Sequence, residues 1–148
     1  MNDIKSLIVA TDFSACAKVA VEGAIKLAKT HGATVHVVHA LDTPIPIFTP
    51  YDVAIPPDVI EQARSFAKEN LSKTCAEIEA AGLTAEAHLT EGPAAVGITR
   101  LAAELDVDLI VVGTRGNTGL KHMMLGSVAE RTIRLAPCSV LAVKHPDT

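Results

Sequence analysis

Between Gly113 and Arg131 the chain gathers residue types suited to holding an anion. A short apolar run from Leu109 to Val112, which reads as a buried strand, leads into Gly113, Gly116, Gly119 and Gly126. Ser127 and Glu130 follow at the spacing of a capping box. In that arrangement the serine hydroxyl accepts from the amide three residues on, and the glutamate reaches back to the serine amide. A helix is therefore expected to begin at Ser127, with the free N–H groups of its first turn facing a glycine-bearing loop. Such an end attracts anions through unpaired donors and the positive end of the helix dipole. Arg115, Lys121, His122 and Arg131 add cationic contacts. The chemistry implied is phosphate binding, although the spacing alone equally allows glycines that only turn the chain toward a last strand. The pattern is not a P-loop, which needs Lys-Ser or Lys-Thr directly after its last glycine. Nor is it the dinucleotide fingerprint, because two residues, not one, separate Gly113 from Gly116.

The elements that must position this stretch alternate along the chain. Ile4 to Thr11 reads as a first strand, apolar nearly throughout, as expected of a sheet covered on both faces. Ser14 is the expected N-cap of a first helix whose apolar face includes Cys16, Ala20, Ala24 and Leu27, and Gly32 ends it. Thr34 to Leu41 is a second strand. Ile60, Ala63, Ala67, Leu71, Cys75 and Ile78 step at helical spacing to Gly82. Ala85 to Thr90 is a third strand, and Pro93 opens a third helix bearing Ile98, Leu101, Ala102 and Leu105. Leu109 to Val112 is the fourth strand, Ser127 to Leu135 the fourth helix, and Val140 to Val143 the last strand. Five strands and four helices in strict alternation call for a parallel sheet with right-handed crossovers. Between the second strand and second helix, Thr43 to Pro57 holds five of the eight prolines with Phe48 and Tyr51, and cannot be a regular helix or central strand.

Composition narrows the class. The 148 residues are read as one domain, 1–148, with 49% hydrophobic but only 3% aromatic residues, hence an aliphatic core. A net charge of −4 argues against non-specific binding to nucleic acid or to an anionic membrane. No stretch approaches the ~20 apolar residues that span a bilayer. The first residues do not resemble a signal peptide, since Asp3 precedes an apolar run that is too short. Cys16, Cys75 and Cys138 are an odd number without CxxC spacing, read as reduced thiols of a cytoplasmic protein. None of the six histidines forms HxxxH or HxH spacing, and His36 and His39, an odd number of positions apart, face opposite sides of a strand. The sequence thus gives no convergent metal set, and His88 and His145 read as surface or strand-face residues.

The whole chain bears a resemblance. Gly113, Gly116, nine intervening residues and then Gly126 with Ser127 reproduce the Gly-x2-Gly-x9-Gly-Ser pattern of the ATP-binding subgroup of the universal stress protein A family. Ile8 to Asp12 is similar to that family's first strand and its acidic end. Glu91 to Pro93 resembles the approach to its third helix, and Ala136 to Leu141 the approach to its last strand. The resemblance implies a doubly wound open parallel five-stranded α/β sheet in the order 3-2-1-4-5, with four helices distributed over both faces. The winding reverses between strands one and four, and ligands of such sheets sit beyond the carboxyl ends there.

What the resemblance implies about the site can be stated residue by residue. Gly113 and Gly116 would let backbone approach ribose and phosphate. The amides of Gly126, Ser127 and Val128 would hold phosphate oxygens, and Arg115 would add charge. Asp12 would meet the ribose or a divalent metal, or else cap the first helix. The backbone at Ala40 would read the adenine edge, with Ala10 and Thr11 lining the same wall. ATP is the implied ligand, with Mg²⁺ held mostly by phosphates and water. Asn117 and Thr118 replace the further basic and small residues of many relatives, a departure expected at most to weaken affinity.

Three functions follow as expectations. One is a nucleotide-dependent regulator, dimeric through Val140 to Val143, that answers to an unidentified protein partner. The second is a slow ATPase or nucleotidyl-transfer enzyme, for which no positioned general base beyond Asp12 is legible. The third is an interaction module that works without nucleotide. No catalytic residue is assigned.

Overall fold

The computed structural model describes residues 3–42, 56–115 and 125–146. The described residues form β1 (Ser6–Ala10), α1 (Ala15–His31), β2 (Thr34–Leu41), α2 (Pro57–Ala80), β3 (Ala85–Glu91), α3 (Ala94–Leu105), β4 (Leu109–Gly113), α4 (Ser127–Leu135) and β5 (Ser139–Val143). All pairings are parallel and the sheet runs β3-β2-β1-β4-β5, so the order implied by the resemblance is the order observed. The part of the proline-rich segment from Thr43 to Ile55 lies outside the described residues. Its last two prolines are described: Pro56 precedes α2 and Pro57 opens it, where a missing N–H costs nothing.

Continuous apolar strands follow from burial on both faces. Leu7, Val9, Val35, Val37 and Val111 point to the side covered by α1 and α2, where they meet Ala20, Ala24, Leu71 and Ile78. Ile8, Val38, Ile110 and Val112 point the other way, against Ile98 and Ala102 of α3 and Ala129 of α4. Alternation along each strand thus feeds two cores. Gly97 lets α3 lie close against β3, because a Cβ there would come within 2.5 Å of Thr90 Oγ1. Among the described residues, no helix is long and apolar enough to cross a membrane.

Local chemistry sets the ends. Ser14, in extended conformation, accepts from the Ala17 amide through its hydroxyl at 3.1 Å, and Gly32 closes α1 in the left-handed region at φ 68°. We expect Ser14→Ala to lower stability by about 1 kcal/mol, read as a fall in the thermal midpoint with no change in far-ultraviolet dichroism. At the other end of β1, one carboxylate oxygen of Asp108 accepts the amides of Lys5 at 2.8 Å and Ser6 at 3.1 Å.

Two helix caps differ from the sequence reading. α3 begins after Pro93, which serves as its N-cap rather than lying in its first turn. α4 takes Gly126 as N-cap, with Ser127 the first helical residue and no side-chain cap. The capping box is therefore not formed. Gly126 already supplies the extended backbone (φ −69°, ψ 158°) and the carbonyl that accepts from Glu130 at 3.0 Å. The Glu130 carboxylate turns instead to Arg134, one turn along, at 2.7 Å.

Candidate functional site

The carboxyl ends of β1 and β4 meet where the sheet reverses its winding, and a cavity of ≈ 510 Å³ opens there. That volume falls within the ordinary range of small-molecule sites. Ala10, Thr11 and Asp12 leave β1 along one wall, and Ala40 lies at the end of β2 beside them. Gly113 and Arg115 come from the end of β4, and Gly126, Ser127 and Val128 from the start of α4. Nine of the ten binding residues expected from sequence therefore line one space. The tenth, Gly116, lies outside the described residues, as do Gly119, Lys121, His122, Met123 and Met124.

The turn after β1 is built by short polar bonds. The Thr11 hydroxyl accepts the Phe13 amide and Asp12 Oδ1 accepts the Ser14 amide, each at 3.0 Å. Asp12 thus steadies the turn leading to Ser14, the residue that caps α1, and it also lines the cavity. Phe13 sits at φ 64°, in the left-handed region, with its ring stacked on His39 at 4.5 Å between centroids. His39 Nδ1 also bonds the Thr11 carbonyl at 2.8 Å, tying the ends of β1 and β2 together.

The wall from β4 depends on glycine. A Cβ at Gly113 would come within 3.0 Å of Cys16 Sγ and 3.2 Å of the Cys16 carbonyl, so α1 could not pack as closely against any other residue. Beyond it, the Gly126 amide donates to the Thr114 carbonyl. This corrects one expectation: that amide is committed within the protein. A carbonyl leaving the sheet needs a donor, and Gly126 supplies it. The donors left at the start of α4 are the amides of Ser127, Val128 and Ala129, which have no acceptor within the helix. Arg115 Nε is buried without a hydrogen-bond partner among the described residues. A negatively charged group in the cavity would satisfy both the amides and the guanidinium.

Sequence reasoning missed part of the lining. Ala94 and Ile98 of α3 contribute an apolar wall and Asp42 a second carboxylate. The run from Glu91 to Pro93 signalled the helix but not that its first turn faces the crevice. A second cluster was also missed. His36, Glu86 and His88 converge on β2 and β3, where the sequence offered no metal spacing. His88 is held below the usual histidine pKa, mainly by burial and also by His36, with Glu86 opposing.

Comparison with known proteins bears on the family and the fold. Residues 3–144 match the Universal stress protein family. Universal stress protein MJ0531 of Methanocaldococcus jannaschii is 35% identical over 150 residues, covering 98% of this chain and 85% of that one. The solved structure of UspA from Lactobacillus plantarum superimposes with a TM-score of 0.85 at 20% identity, over 97% of this chain and 99% of that one. A universal stress protein from Archaeoglobus fulgidus, solved in complex with dAMP, has a TM-score of 0.68 at 28% identity, over 97% of this chain and all (100%) of that one.

Proposed function

The chain belongs to the universal stress protein family, and from that premise we propose that it binds ATP with Mg²⁺ between β1 and β4 and acts as a nucleotide-dependent regulator in the stress response. The observation that carries the reading is the meeting, in one cavity, of α4 amides that have no acceptor within the helix and of Arg115, whose Nε has no partner among the described residues, with the backbone walls of β1 and β2. The dAMP complex of the Archaeoglobus fulgidus relative supports an adenine nucleotide as the ligand class.

In this reading the amides of Ser127 and Val128 hold phosphate oxygens, with Arg115 offsetting their charge. Gly113 and Gly116 admit ribose and phosphate, and the backbone at Ala40 reads adenine against Ala10 and Thr11. Asp12 faces the ribose or a phosphate-bound Mg²⁺. The protein works in the cytoplasm, as one domain, through a partner that senses the occupied crevice. β5, an edge strand with Leu141 exposed, joins two copies.

Calorimetric titration of ATP with Mg²⁺ into nucleotide-stripped protein tests the reading, with AMP and dAMP as comparisons. We expect one nucleotide per chain, and at least a roughly tenfold loss of affinity (about 1.4 kcal/mol) in an Arg115→Gln variant that keeps its fold, because the guanidinium that offsets the phosphate charge is then gone. Absence of both heat and thermal stabilisation with all three nucleotides would overturn it.

A further inference from the structure

His36 and Glu86, 50 positions apart, are brought together with His88 by strand pairing. His36 on β2 stands opposite Glu86 on β3, and Val38 opposite His88. Residues two apart on a strand share a face, so all three side chains emerge on the side of the sheet that carries α3. The distances are specific to three atoms. His36 Nδ1 lies 3.0 Å from His88 Nε2 and 3.3 Å from Glu86 Oε2, and the last two lie 3.9 Å apart.

We propose that these three residues form a binding site for a divalent transition-metal ion of the zinc, nickel and copper class, held by two imidazole nitrogens and one carboxylate oxygen with a further position open to solvent.

Tetrahedral zinc with bonds of about 2.0–2.1 Å places neighbouring ligand atoms about 3.3–3.4 Å apart, and the observed sides of 3.0, 3.3 and 3.9 Å bracket that spacing, so small side-chain adjustments would complete the site. Hydrogen bonding within the cluster does not account for it fully. Each imidazole in its neutral form carries one N–H, so at most one proton lies between the facing nitrogens, while a carboxylate lone pair points to the same spot. A cation meets all three lone pairs at once. The ligand set then decides the ion. Two nitrogens and one oxygen suit zinc, copper or nickel, whereas Mg²⁺ and Ca²⁺ take oxygen ligands.

Accessibility is graded in the manner a binding site requires. His36 is buried, His88 is partly buried, and the Glu86 side chain is 56% exposed. The rear imidazole is thus fixed by the sheet while the carboxylate is reachable from solvent. Bound metal would clip the edge strand β3 to β2, two residues along β2 from Val38, which lines the crevice. The proposal does not depend on what the crevice binds.

The test uses the full chain, stripped with a chelator and free of nucleotide, titrated calorimetrically with ZnCl₂ and NiCl₂. Co²⁺ serves as a spectroscopic probe, since its visible absorption reports tetrahedral nitrogen and oxygen ligation. We expect one ion per chain and a Zn²⁺-dependent rise in the thermal midpoint. Glu86→Gln should weaken binding by at least about tenfold, as removal of a direct ligand matters no less than loss of a supporting one. Glu86→Gln with His88→Gln should abolish the Co²⁺ band and the thermal response while the protein still unfolds cooperatively. Failure of the native chain to bind any of the three ions, or binding undiminished in the double variant, would overturn the proposal.

Discussion

Ile110→Ala should lower the free energy of unfolding by about 2–5 kcal/mol, a large share of the roughly 5–15 kcal/mol typical of a domain. Ile110 has no solvent exposure and sits in β4 between Ile8 of β1 and Val140 of β5. It belongs to the core that joins the sheet to α3 and α4. The loss has two parts: apolar surface no longer buried, and a void that neighbours in a fixed sheet cannot collapse to fill. Urea unfolding would show a lower midpoint with an unchanged slope, and the thermal midpoint should fall by roughly 4–20 °C. Val59→Ala, at a half-exposed position on α2, should stay within about 0.5 kcal/mol of the native chain. A loss at Ile110 no larger than that at Val59 would contradict the packing described.

Ser127→Pro should have the largest effect on ligand binding. Ser127 is the first residue of α4, where proline fits the helix and removes one N–H that has no acceptor within it. The preceding residue, Gly126, is extended (φ −69°, ψ 158°), the conformation that a following proline demands. The substitution thus deletes a donor aimed at the cavity without a steric reason for the helix to shift. A hydrogen bond to a charged group contributes about 1.5–3 kcal/mol, which predicts adenine-nucleotide affinity roughly 10- to 150-fold weaker. Calorimetry with ATP measures the loss, and far-ultraviolet dichroism checks α4. Full affinity with the helix intact would remove the Ser127 amide from the cradle.

The elements themselves were legible in the sequence, for a physical reason. Strands such as Leu109 to Val112 are covered on both faces and read as unbroken apolar runs, while Gly32 and Gly82 mark helix ends through the left-handed backbone they adopt. Strand order was carried by family resemblance, because alternation alone says only that the sheet is parallel. The span of α4 was read correctly, but its cap was misplaced by one residue, Gly126 standing where Ser127 was expected. Ser127 and Glu130 have capping-box chemistry, but the demand of the Thr114 carbonyl for a donor draws Gly126 into place first. His36, Glu86 and His88 could not be found by spacing, since their convergence is a matter of register between two strands far apart in sequence. Pairing across a sheet has no local signature.

The Asp108 carboxylate works at the end of the sheet away from the cavity, yet it acts as a dowel for the cavity's alignment. By holding the amides of Lys5 and Ser6, it indexes β1 against β4 so that Leu7 stands opposite Leu109. Parallel strands can otherwise slide past each other. A slip of one residue would carry Thr11 and Asp12 about 3.3 Å along the groove relative to Gly113 and turn each β1 side chain to the wrong face. The two walls of the crevice are kept level by a gauge set at the opposite end of the molecule. Tolerance in the site is therefore inherited from a residue that no ligand would touch.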